Sequence, residues 1–167
     1  MPSKGYTQII GSILKHPNID VSLNCSYEEI NKNFEHVFYS GPIDRYFDYK
    51  IGRLGYRSLE FEKHTRKGSY QGTAVMNYGD IEKPFTRIAE HKYFSPWTLE
   101  NFEDTVYFKE FSKNCSRDDI PYYPIRLVKE KKMLNDYFDL ANRCESISFI
   151  GRLGTYRYLD MDVTINE

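Results

Sequence analysis

The chain has 167 residues, 40% hydrophobic and 28% charged, with a net charge of −1. That length and apolar content suffice for a globular core. The near-zero charge gives no electrostatic case for nucleic acid or an anionic membrane, and no apolar run approaches the ~20 residues that span a bilayer. The opening MPSKGYTQ lacks the apolar stretch of a secretory leader. Cys25, Cys115 and Cys144 are far apart, with no CxxC pair and no cluster of His16, His36, His64 and His91. The expectation is a cytoplasmic protein with reduced thiols and no metal. The 15 tyrosines and 11 phenylalanines suit sugar or nucleotide recognition, and they suit strand formation equally, so composition leaves the two level.

In chain order, Tyr6, Ile9, Ile10, Ile13 and Leu14 follow helical spacing, and Pro17-Asn18 ends that helix. Ile19 to Leu23 alternates as a short strand. Ser26, with Glu28 and Glu29 behind it, predicts a helix through Phe34, and Val37-Phe38-Tyr39 a strand closed by Ser40-Gly41-Pro42. From Gly55 the texture changes. Tyr56 to Glu62 and Ala74 to Tyr78 alternate with period two, and Phe85 to Phe94 and Thr105 to Glu110 are further strand candidates. Turn residues separate them, which predicts an antiparallel sheet. Ile125 to Cys144 carries an apolar stripe with Lys and Glu opposite, an amphipathic helix.

Ile147 to Ile150 then reads as a buried strand running into Gly151-Arg152-Leu153-Gly154-Thr155-Tyr156-Arg157-Tyr158-Leu159-Asp160-Met161-Asp162, with a helix opening after Tyr158. A strand that ends in glycine and turns into a helix leaves backbone N–H groups for a phosphate or a cofactor's polar edge. An ordinary strand–turn–helix with a polar surface explains the spacing as well.

GRLGTYRYLDMD resembles the signature GRL-x-x-Y-K-Y-Y-D-M of the UDP-galactopyranose mutases, a family of flavoenzymes. Other blocks follow in the same order: PSKGYT at 2–7, YSGPIDRYFDYKIGRLGYRSLEFE at 39–62, FTRIAEHKYF at 85–94 and PYYP at 121–124. The resemblance implies an α+β chain made of part of an α/β flavin domain (1–49 and 125–167) and an antiparallel substrate-side domain (50–124). It implies that Arg87, Tyr123 and Tyr158 contact the diphosphate of a UDP-sugar. A guanidinium suits that task because it binds phosphate oxygens bidentately. It also implies that Arg57, Arg152 and Asp160 lie near the flavin. Without the resemblance each would read as a structural hydrogen bond or a surface ion pair. Lys4, Leu159 and Val163 depart from the family pattern.

Family members are about twice this length and carry an N-terminal GxGxxG unit for FAD, a pattern that the present sequence lacks. The chain is therefore expected to be a C-terminal fragment of the isomerase, inactive alone and without retained FAD. The enzyme as a whole interconverts UDP-galactopyranose and UDP-galactofuranose for cell-surface polysaccharide, including lipopolysaccharide. Two alternatives stand beside it: half of a split mutase whose flavin-binding half is a separate N-terminal chain, and a non-enzymatic nucleotide-sugar or interaction module. Self-association through uncovered apolar surface is also expected.

Overall fold

The structure, a computed structural model, describes residues 2–30, 33–125 and 127–167. Its elements in chain order are α1 (Tyr6–Ile13), a 3₁₀ turn at Tyr27–Glu29, β1 (Val37–Tyr39), α2 (Ile43–Tyr46), β2 (Tyr56–Lys67), β3 (Val75–Asn77) and β4 (Arg87–Glu90). Two more 3₁₀ turns follow, His91–Phe94 and Pro96–Asn101, then β5 (Asp104–Asn114), β6 (Tyr123–Pro124), α3 (Val128–Ala141), β7 (Ile147–Phe149), α4 (Gly151–Gly154) and α5 (Met161–Asn166). The mixed α+β class is the one expected. The compact units are residues 1–33 with 62–109, and 34–61 with 110–167. The long strands β2 and β5 each have residues in both units.

In the first unit the strand order is β3-β4-β5-β2, and β3 meets β4 antiparallel with Val75 opposite Ala89 and Asn77 opposite Arg87. Alternation along β4 turns Ile88 and Glu90 inward, both fully buried. The Glu90 carboxylate accepts the N–H groups of Tyr70, Gln71 and Gly72 at 2.8–3.1 Å and the Thr105 hydroxyl at 2.7 Å. Burial alone would raise its pKa, but those four donors together outweigh it and hold the carboxyl below the ordinary 4.5. Tyr107 stacks between His64 and Tyr70, with ring centroids 5.0 and 4.0 Å away.

Three expectations fail or shrink in this unit. The strand at 19–23 does not form: Ile19 N–H turns back to His16 O at 3.0 Å, and Val21 and Leu23 stay exposed. The helix expected from Ser26 closes after one turn, where Ser26 N–H donates to the Glu29 carboxylate at 3.1 Å; residues 31 and 32 of that span lie outside the described residues. The strand expected over 85–94 is confined to Arg87–Glu90, since the chain then coils into a 3₁₀ turn. α1 forms as expected, yet Tyr6, Ile9, Ile13 and Leu14 on its apolar stripe remain exposed.

In the second unit β1 and β7 pair in parallel, and β2 lies between β5 and β6. The core consists of Ile43, Leu54, Tyr56, Tyr137 and Tyr156, with Met133, Leu134, Phe138, Leu140 and Ala141 of the predicted amphipathic helix packed against it. Arg126, at the start of the span expected to be helical, is outside the described residues. The polar groups buried in this core include the Tyr137 hydroxyl and the Asp44 carboxylate. The Tyr137 hydroxyl donates to Gly52 O at 2.6 Å and accepts Ile51 N–H at 3.3 Å. Asp44 accepts Leu54 N–H at 2.9 Å, Arg45 N–H at 3.0 Å and the Tyr56 hydroxyl at 3.4 Å. Burial pushes the Asp44 carboxyl above 3.8 despite these bonds, and burial followed by the Asp44 charge pushes the Tyr56 phenol up.

Two outcomes follow from this packing. A Cβ at Gly154 would stand 2.7 Å from the Tyr39 carbonyl oxygen, a backbone atom that cannot rotate aside. Gly154→Ala should therefore cost about 1–3 kcal/mol in urea unfolding, and an unchanged midpoint would refute the contact. For Glu90 the folded pKa is lowered, so its stabilisation is present above about pH 4.5 and disappears as pH falls through the folded value. Asp44 works in the opposite sense: its raised folded pKa gives stability that is lost as pH rises above 3.8. Hydrogen exchange should show the Tyr70, Gln71 and Gly72 amides losing protection in acid, and Glu90→Gln should remove that pH dependence.

Candidate functional site

The C-terminal signature is held in place from beneath. Gly151, at φ 69°, takes a left-handed conformation that suits glycine, and the single-turn α4 follows. Its carbonyl accepts both the N–H and the hydroxyl of Thr155. Tyr156 then points inward and is 1% exposed. Its hydroxyl lies 2.5 Å from Gly55 O, just before β2, and 2.8 Å from Ile125 O, just after β6. Burial pushes that phenol up to about 12, against the opposing effect of the Ile125 hydrogen bond. The Tyr56 ring meets it edge-on at 5.2 Å. Sequence reasoning passed over Tyr156 and selected its neighbour, because nothing local distinguishes the buried tyrosine of Tyr156-Arg157-Tyr158 from the outer one.

With Tyr156 fixed, Tyr158 emerges on the outside, 62% exposed, and stacks on Tyr123 with centroids 5.6 Å apart and planes 17° from parallel. Tyr123 is supplied by β6, whose antiparallel pairing with β2 sets Arg57 opposite Tyr123 and Tyr56 opposite Pro124. β6 has two residues and no periodicity, and the sequence did not announce it. The Arg152 guanidinium lies over both rings, 4.7 Å from the Tyr158 centroid and 5.3 Å from that of Tyr123. It donates from Nε (3.1 Å) and Nη2 to Leu159 O, and from Nη1 to Tyr122 O at 3.4 Å. Among the described residues neither the Tyr123 nor the Tyr158 hydroxyl meets a hydrogen-bond partner, nor does Arg152 meet a carboxylate.

Of the six residues singled out in the sequence, the fold gathers Tyr123, Tyr158 and Arg152 into one stack. Arg57 is opposite Tyr123 in register, but its side chain donates to Ser112 Oγ at 3.0 Å and Asn114 Oδ1 at 2.6 Å. Asp160 is exposed at the N-cap of α5 without a side-chain capping bond. Arg87 belongs to the other unit, on β4, where its Nε donates to Asn77 Oδ1 at 2.9 Å. α4, at four residues, is too short to build up the helix dipole that the glycine turn had suggested. Among the described residues no group of three metal-ligating side chains occurs.

A fold of this kind is shared with a sugar-nucleotide isomerase: a solved structure described as reduced UDP-galactopyranose mutase superposes with a TM-score of 0.56 over 75% of this chain and 37% of the other, at 15% identity, a likeness of fold alone. The family model for UDP-galactopyranose mutase matches residues 1–158, and the chain belongs to that family. It is 55% identical over its full length to a probable UDP-galactopyranose mutase of Klebsiella pneumoniae, 47% identical to the dTDP-fucopyranose mutase of Escherichia coli, and 34% identical to the UDP-galactopyranose mutase of Mycoplasma pneumoniae. It spans only 43–46% of the length of these curated relatives.

The guanidinium clamp can be tested directly. Arg152→Lys keeps the charge but cannot reach Leu159 O and Tyr122 O from one planar group. It should lower the near-UV circular dichroism of the stacked tyrosines and cost about 1–3 kcal/mol of stability. An unaltered near-UV spectrum would rule the clamp out.

Proposed function

We propose that this chain is the substrate-gripping C-terminal portion of a UDP-galactopyranose mutase-like enzyme, holding the diphosphate of a nucleotide sugar. The observation that carries the reading is the Tyr123–Tyr158 stack. Two phenol hydroxyls that meet no hydrogen-bond partner among the described residues stand beside a fixed guanidinium, a combination that suits phosphate oxygens. Arg87, on β4 of the other unit, is a separate candidate for a phosphate-binding cation. The names of the relatives combine UDP with galactopyranose and dTDP with fucopyranose, so what the two nucleotides share is a pyrimidine nucleoside diphosphate. The grip proposed here would serve either.

Arg57, Arg152 and Asp160 do not by themselves fit a flavin site. The N–H groups of Arg57 are directed at Ser112 and Asn114, and those of Arg152 at backbone carbonyls, while the sequence offers no GxGxxG for the pyrophosphate. FAD belongs, on this reading, to the whole enzyme, and no reaction step is assigned to it in this chain. The chain alone would bind without catalysing. The remaining length of the relatives, as a separate flavin-binding polypeptide, would restore the isomerase, whose place is the supply of a furanose sugar for cell-surface polysaccharide. Cytoplasmic location fits a nucleotide-sugar substrate, and no described helix is long and apolar enough to cross a membrane.

Calorimetric titration of the chain with UDP and with dTDP tests the grip. Submillimolar binding of both is expected, weakened about tenfold by either Tyr123→Phe or Tyr158→Phe, which remove only a hydroxyl. Binding that both phenylalanine variants leave intact would overturn the assignment.

A further inference from the structure

Arg57 lies on β2, the middle strand of the row β5-β2-β6. Its partner in register on β6 is Tyr123, and directly opposed residues of an antiparallel pair send their side chains to the same face. On the other flank the half-buried Arg57 donates from Nε to Ser112 Oγ at 3.0 Å and from Nη1 to Asn114 Oδ1 at 2.6 Å. Ser112 and Asn114 stand two apart at the end of β5, so they share one face of that strand. Tyr123, Arg57, Ser112 and Asn114 thus line a single face across three neighbouring strands, all within the second unit.

These bonds hold the cation from two of its edges. A guanidinium carries one N–H on Nε and two on each Nη. The bonds to Ser112 and Asn114 take one donor on Nε and one on Nη1, which fixes the plane of the group. Among the described residues the donors of Nη2 meet no acceptor, and Arg57 meets no carboxylate. A half-buried cation without a counter-charge costs desolvation, and an anion at the Nη2 edge would offset that cost.

Resting on the diphosphate reading of the tyrosine stack, we propose that Ser112 and Asn114 are positioning residues. They aim the Nη2 edge of Arg57 at the diphosphate that Tyr123 and Tyr158 hold, and so make Arg57 the second cation of that site. Arg152 reaches the stack from α4, whereas Arg57 comes from the strand beside β6. Two guanidinium groups suit a diphosphate, because both of its phosphates carry negative charge. Ser112 and Asn114 touch Arg57 and not the anion, so their whole effect on binding passes through that side chain.

UDP is titrated calorimetrically into the chain and its variants, and thermal melting is recorded for each. Arg57→Gln should weaken binding about tenfold. Asn114→Ala and Ser112→Ala should each weaken it about threefold in the parent and hardly at all in the Arg57→Gln background, since they act through Arg57. Asn114→Asp still accepts from Nη1 but sets a negative charge against the guanidinium. It should weaken UDP binding about tenfold at low salt, less at high salt, without lowering the melting temperature. Should Arg57→Gln melt early, Asn114→Asp decides by itself, because Asn114 is exposed. Losses that persist in the Arg57→Gln background, or binding that Asn114→Asp leaves intact, overturn the positioning role. Binding that a folded Arg57→Gln leaves intact overturns this proposal and spares the tyrosine contacts; no UDP binding by the parent chain overturns both.

Discussion

One buried phenol organises the C-terminal half of the sequence. The Tyr156 hydroxyl binds carbonyls at the edges of two paired strands, so a segment with little regular structure is tied to the sheet from its buried side. A buried hydroxyl without partners is costly, and a carbonyl left unpaired is nearly as costly. The two needs cancel at this point. Tyr156 also accepts a left-handed backbone, φ 50°, which a large side chain adopts only when its surroundings compel it. That twist is what turns residue 158 outward just after residue 156 has gone in.

The other unit uses the same device with a different group. Glu90 sits where alternation along β4 calls for an apolar residue, and its carboxylate gathers three consecutive amides and a threonine hydroxyl. Each unit is thus fixed by a buried polar group with several partners distant in sequence. Among the described residues the hydroxyls of the stacked Tyr123 and Tyr158 meet no such partners.

These features also decide how much could be read without coordinates. The amphipathic helix over 128–141, the strands beginning at Tyr56 and near Asp104, and the strand at 147–149 follow from periodicity, which is local. The expected strand at 19–23 had the right alternation, but a strand exists only by pairing, and no neighbour takes it up. β6 is two residues of an aromatic-proline run and is a strand only because β2 passes beside it. Among the site residues, Tyr123, Tyr158 and Arg152 were legible as a motif, but their stacking was not. Arg57 was selected as a member of the motif, while its hydrogen bonds to Ser112 and Asn114 depend on where β5 runs. Glu90 could have been suspected, since an acid on the inward face of a strand demands donors; which donors is a tertiary matter.

The way Arg152 is held has an electrostatic corollary. Its partners are carbonyl oxygens, which orient the guanidinium without neutralising it. A carboxylate in their place would have cancelled most of the field at the tyrosine rings. As built, the guanidinium charge lies close to the surface and within reach of counterions. Its pull on any anion is therefore governed by ionic strength, weakening as the screening length contracts from about 10 Å at 0.1 M salt to about 3 Å at 1 M.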